Sequence, residues 1–146
     1  MNKKQYISDK IKQHYKKKHQ INAINNEYLS KRQEDVMHKI IDNLSKRCRQ
    51  YLQKNNIKKT MTHMELIGCN SEELREHLQS KFLENMNYTN YGEWEVDHIE
   101  PISKFDLTEI EQMKRCFNYK NLQPLWQIDN FKKSNKSEQR SLSEAK

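Results

Sequence analysis

The stretch WEVDHIEPISKFDLTEIEQMKRCFNYKNLQPLWQIDNFKKSNK, Trp94 to Lys136, decides how this chain is read. It sets a carboxylate beside an imidazole at Asp97 and His98, opens a second polar cluster at Asn121, and places Asp129 and Asn130 ahead of a lysine-rich run. A plain core strand has no use for that collection. Trp94 through Ile99 reads as a short strand that Pro101 stops. Thr108 with Glu111 reads as a capping box, and Ile110, Met113 and Phe117 give the apolar face of a helix ending near Asn118. Leu122 to Trp126 reads as a second strand, with Pro124 marking an edge or a bulge. Asp129 or Asn130 is then expected to cap a short helix through Lys132, Lys133 and Lys136. The local order is strand, inserted helix, strand, helix. Because strand side chains alternate faces, Asp97 and His98 point the same way only if the strand bends there. Trp94, Trp126, Phe105 and Phe117 fall on packing faces and read as a small core.

Upstream of this stretch the chain is helical in pattern. Asn70 followed by Glu73 is a capping box, ahead of Leu74, Leu78 and Phe82 at i, i+4 and i+8, with Gly68 as the turn before it. His77 beside that stripe has no second ligand at i+4 and reads as a surface or half-buried residue. Val36, Ile40, Leu44 and Cys48 form a packing stripe that Met37, Ile41 and Leu52 widen, and Asn55-Asn56 is a plausible stop. Residues 1–24 read as a basic arm in which Tyr6, Ile7, Ile11 and Tyr15 form a narrow apolar stripe among lysines.

At 146 residues the chain has room for one domain with extensions but not for two sizeable cores. Only 34% of its residues are hydrophobic and 32% are charged, so much of it must be wet surface. The net charge of +7 is unevenly placed: residues 1–60 carry 16 lysines and arginines against 5 acids, and the remainder 11 against 15. That basic half points to a polyanionic partner. Three widely spaced cysteines, Cys48, Cys69 and Cys116, make neither a disulfide framework nor a zinc ribbon and suit reduced thiols. No apolar run approaches the roughly 18 residues that span a bilayer, and MNKKQYISDK lacks a signal-peptide core. The expectation is an intracellular protein that is not secreted and has no membrane partner.

The residues of the opening stretch resemble those of the HNH endonucleases. Asp97-His98-Ile99 with Pro101 is similar to that family's D-H-I-x-P, Asn121-Leu122-Gln123-Pro124-Leu125 to its N-L-Q-P-L, and Asn130 with Lys133 to its closing [HN]-x-x-K. Residues 65–136 further resemble HNH proteins of large DNA viruses and phages; the first 60 residues do not take part. The resemblance implies an α+β, mainly helical fold with a small ββα-metal module (the His-Me finger) and an N-terminal helical extension. The implied organisation is 1–60 as a basic DNA-binding extension, 61–93 as helix and turn, 94–136 as the catalytic module and 137–146 as a polar tail. It implies His98 as the general base, Asn121 as the residue orienting it through the inter-strand loop, and Asp97 and Asn130 as metal ligands. One divalent cation, Mg²⁺ or Mn²⁺, is expected, because a carboxylate and an amide are hard oxygen donors. Trp126 and Asp129 stand where relatives carry a cysteine pair, so structural zinc is not expected.

Elementary chemistry agrees with that assignment. A histidine with a pKa near 6.5 can take a proton from water at neutral pH, and a hard cation neutralises phosphoryl oxygens. Lys132, Lys133 and Lys136, with Lys16, Lys17 and Lys18 of the basic arm, are the expected phosphate contacts. The expected partner is double-stranded DNA, met by a monomer or a homodimer. The alternatives are a catalytically inactive nucleic-acid-binding protein on a degenerate module, since the third position is asparagine, and a protein-binding inhibitor.

Overall fold

The computed structural model describes residues 3–134, and the chain divides into two compact units, one ending at Asp35 and one beginning at Val36. Helix α1, Lys3–Lys54, contributes to both. The basic arm and the packing helix expected as two segments are thus one continuous helix, and the cause is compositional: no glycine or proline occurs before Gly68 to interrupt it. In the first unit the α1 side chains of Ile11, Tyr15, Ile24 and Tyr28 are half or more exposed. The unit boundary falls inside the segment read as an extension, because Val36, Met37, Ile40, Leu44, Cys48 and Leu52 are all buried in the second unit's cores. Asn56, at φ 55°, ends the run in the left-handed region that asparagine tolerates.

The second unit is mainly helical with one small sheet, an α+β architecture. Two short helices follow α1: α2, His63–Ile67, and α3, Ser71–Ser80. Both open on capping boxes, Thr62 with Glu65 and Asn70 with Glu73, and Gly68 closes α2 at φ 74°. Strand β1, Trp94–His98, pairs antiparallel with β2, Leu122–Trp126. Between them lies α4, Ile110–Phe117, and directly after β2 comes α5, residues 127–134. Two expectations are corrected here. Thr108 does not cap α4: its N–H and hydroxyl donate to Asp106 Oδ1 at 3.0 and 2.6 Å in a local turn, Glu109 takes the cap position, and Glu111 pairs with Lys114. Asp129 and Asn130 do not cap α5, which starts at residue 127 without an intervening loop. Lys136 and the tail 137–146 lie outside the described residues.

The register explains why Pro124 sits in a strand without a bulge. Ile99 N donates to Asn121 O and Gln127 N to Glu93 O, so the hydrogen-bonded pairs are the odd positions of β1, and Val96 opposite Pro124 is a pair whose backbone groups point outward. The missing proline N–H costs the ladder nothing. Trp94 is fully buried, its indole N–H donating to Asn87 O at 2.8 Å, with Phe82, Tyr88 and Tyr91 packed edge-on around it. Trp126 and Phe105 pack at the margins and Phe117 is buried, as expected of core aromatics.

Gly68 is required twice over, by its left-handed backbone and because a Cβ there would stand 2.8 Å from Asn118 Nδ2. Gly68→Ala should lower unfolding free energy in urea by about 1–3 kcal/mol. An unchanged midpoint would show that the loop before α3 relaxes freely.

Candidate functional site

β1 stays regular through His98, so the alternation holds and its side chains part. Glu95 and Asp97 meet α5, whereas Trp94, Val96 and His98 belong to the opposite face. On the α5 side, Lys133 Nζ donates to Asp97 Oδ2 at 2.5 Å and to His98 O at 2.7 Å, and Asn130 Nδ2 donates to Glu95 Oε1. Asn130 and Lys133, three apart, occupy one helix face and so engage two carboxylates spaced two apart on a strand. The structure therefore brings Asp97, Asn130 and Lys133 together and adds Glu95, which sequence reasoning missed. Its position two residues before Asp97 in a strand was the available signal.

On the other face the His98 ring packs edge-on against Phe117 at 5.8 Å between centroids. It is 5% exposed, and its Nε2 is buried without a hydrogen-bond partner. Burial, then the positive charge of Arg47, hold the imidazole's pKa down at about 4; Asp97 pulls it up and Lys133 pushes it down by smaller amounts. Arg47 was a second omission. It reaches from α1 to donate to Val96 O at 2.7 Å, and nothing local in an amphipathic helix marks which arginine will do so.

Asn121 acts on the segment that follows His98. Its Oδ1 accepts from Glu100 N at 2.9 Å, its Nδ2 donates to Glu100 O at 3.1 Å and to Cys116 O at 2.9 Å, and its carbonyl accepts from Ile99 N at 2.8 Å. One side chain thus joins the exit of β1 to the last turn of α4. It touches no part of the imidazole directly, so its geometry is that of a positioning residue. Lys132 is exposed on α5. Lys16, Lys17 and Lys18 are exposed on α1 in the first unit; successive helix positions are about 100° apart, so the three fan around the helix. His77, as expected of a half-buried residue, is bound structurally: its Nε2 lies 2.9 Å from Leu122 O.

Among the described residues no three His, Cys, Asp or Glu side chains gather into a metal-holding group. The α5 side nevertheless fits a hard cation. It holds the Lys133 ammonium against a carboxylate and a backbone carbonyl, a cation already in place, with the Glu95 carboxylate and the Asn130 amide close by on the same two elements. A half-turn of the Asn130 amide presents its oxygen in place of its N–H₂. All three cysteines are free and their thiol pKa values are raised, chiefly by burial, so they offer no thiolate ligands.

No family model matches the chain, and no solved structure matches it. Two proteins of Acanthamoeba polyphaga mimivirus do. The chain is 37% identical over 94 residues to uncharacterized protein L426 and 36% identical over 96 residues to uncharacterized protein L246. These alignments cover 64% and 65% of this chain but 40% and 41% of the viral proteins, so the chain spans about two fifths of their length.

Two buried imidazoles make the fold acid-sensitive. His63, like His98, has its pKa lowered to about 4, first by burial and then by Lys59, and its Nδ1 is buried without a partner. An unfolded histidine titrates near 6.5, so between about pH 6.5 and 4 the unfolded chain binds protons that the folded chain refuses. Stability should be full above pH 6.5 and fall as the pH drops through that window, each histidine contributing on the order of 2 kcal/mol by pH 5. Urea midpoints at pH 7 and pH 5 measure the loss. His63→Leu should remove roughly half of the difference, and equal midpoints in the parent would contradict the burial of both rings.

Proposed function

We propose that this chain is a metal-dependent endonuclease that hydrolyses DNA phosphodiester bonds by an HNH-type, one-metal reaction. The observation that carries the reading is the junction at the end of β1. A neutral imidazole with an unpartnered Nε2 and a cation-holding carboxylate are consecutive residues there, on opposite faces of the strand, and the backbone carbonyl of His98 shares the cation. With its pKa near 4 the imidazole is neutral at neutral pH, the form that can accept a proton.

Asp97, with Glu95 and the Asn130 amide, would hold Mg²⁺ or Mn²⁺. Bound there, the ion would supply neutralising charge to the phosphoryl and leaving oxygens. The remaining work falls to the chain. His98 takes the proton of the attacking water. Asn121 fixes the turn at Ile99 and Glu100 so that the imidazole cannot drift. At 8% and 5% exposed, Asp97 and His98 are both covered, and Lys133, its side chain 38% exposed, is the group bonded to Asp97 that can swing out on its flexible stem. Once displaced, Lys133 joins Lys132 in holding flanking phosphates. The basic residues of α1 add sequence-blind affinity for the duplex. One copy of the chain would nick; cutting both strands would need two.

The burial of both central groups also favours a second reading, a nucleic-acid-binding protein that has lost catalysis. Salt-sensitive DNA binding is common to both readings, whereas strand scission belongs to the first alone. With Mg²⁺ or Mn²⁺ the protein should nick or linearise supercoiled plasmid, EDTA should stop it, and His98→Ala should lower the rate by at least about 100-fold while retaining the fold. Full cleavage by His98→Ala would sink the mechanism. The acid limb of the rate profile should lie below pH 5 in kcat/KM, following the depressed imidazole of the free protein. Lys133→Met should bind Mn²⁺ more tightly by calorimetry and yet cleave more slowly, because it removes a competitor for Asp97 together with a phosphate contact.

A further inference from the structure

Beside the proposed catalytic junction, on the side away from α5, lies a cavity of about 460 Å³ that no part of the proposed reaction uses. It opens between the exit of β1, the loop at Phe105, α4 and the turn into β2. Its walls are of two kinds. Ile99 and Phe105 provide an apolar side, with Ile99 44% exposed. Lys114, Arg115 and Lys120 provide cations against the carboxylates of Glu100 and Glu111. Glu111 is matched by Lys114 at 3.3 Å, so the other two cations stand against a single carboxylate. Arg115 lies over the Phe105 ring at 5.9 Å, and Lys120 over Tyr119 at 6.0 Å. An aromatic ring with a guanidinium above it, beside a second cation, meets the two parts of a nucleotide: a flat base and a phosphate. The volume lies within the range of small-molecule sites.

Position sharpens this. Ile99, Glu100 and Asn121, which line the cavity, are the residues that follow His98 and the side chain that pins them. A strand whose phosphodiester lies at His98 has its neighbouring nucleotide at this mouth. We propose that the cavity receives one unstacked nucleotide of the DNA strand, base against Phe105 and Ile99 and phosphate toward Arg115 and Lys120, adjacent to the bond to be cut. The inference rests on the endonuclease reading above. A nuclease built this way would favour sites where a base leaves the helix cheaply, such as a mismatch, a nick or a single-stranded flank.

The test uses the full chain in EDTA, so that no cleavage intervenes. Deoxynucleoside 5′-monophosphates are titrated while amide and side-chain resonances are followed, and a duplex with a single 2-aminopurine is titrated in parallel by fluorescence. Shifts at Phe105, Arg115 and Lys120, with a 2-aminopurine signal reporting loss of stacking, are expected. Lys120→Glu, at an exposed site, should weaken monophosphate binding at least tenfold and leave the circular dichroism unchanged; Phe105→Ala should do likewise if it folds. Monophosphate binding elsewhere, or binding indifferent to Lys120→Glu, would overturn the proposal. So would monophosphate binding here with no 2-aminopurine response, which would make the cavity a free-nucleotide site. Plasmid cleavage in Mg²⁺ without any of these signals would leave the nuclease reading standing and the cavity inference refuted. A nucleotide-binding cavity in a protein that cleaves nothing would do the reverse.

Discussion

Two strands make a sheet that is all edge, and an isolated pair of this length is marginal in water. The fold depends on how the outward backbone carbonyls of that pair are satisfied. Val96 O is taken by Arg47 of α1, Leu122 O contacts His77 of α3, His98 O is taken by Lys133 of α5, and Trp94 O by the N–H of Gly92. Three helices thus reach the sheet through long polar side chains as well as through apolar packing. Arg47 and Lys133 tie α1 and α5 to the strand that ends in His98, and His77 ties α3 to its partner strand. The ladder then runs on past the last paired residue through Asn121, whose amide does for Glu100 what a neighbouring strand would do.

The same contacts set the electrostatics. Arg47 and Lys133 are where they are because they satisfy β1, yet both also press protons off His98. An imidazole so far depressed is always neutral at physiological pH but is a weak base. On the reaction proposed above, a phosphodiester arriving beside it would bring negative charge that offsets Arg47. Basicity would then rise with substrate in place. Pairing Asp97 with an internal ammonium also avoids an unbalanced buried carboxylate, at the cost of making any other cation compete for it.

Much of the fold was legible because it rests on local rules. The Asn70 capping box, the Val36 to Cys48 stripe, both strands and the order strand, helix, strand, helix follow from periodicity and turn chemistry, and the structure has them. The misreadings are also local. Thr108 is held in a turn, donating to Asp106 two residues back, and α5 needed no cap because β2 delivers the chain straight into it. Of the site, the resemblance paired Asp97 with Asn130 and set Lys133 among the phosphate contacts; the structure joins them because spacing on a strand and on a helix fixes which side chains can meet. Glu95 was readable by the same rule and was missed. Arg47 was not readable: which of the basic residues of α1 lands on Val96 is fixed by tertiary packing, and no periodicity encodes it.

The three sequence clusters have different physical jobs, which a string of letters presents as equals. Asn121 spends its whole amide on backbone, so its loss would be felt as a loosened turn and only then as chemistry. Asn130 holds a carboxylate rather than a loop, and Lys133 holds the site's charge. His98, like His63 outside the site, has a buried nitrogen without a partner. Leaving that atom unpaired carries a standing cost of about 1–3 kcal/mol. Phenylalanine or leucine would pack against Phe117 without that penalty. On the reading proposed above, that cost would be offset when the attacking water becomes the partner of this nitrogen.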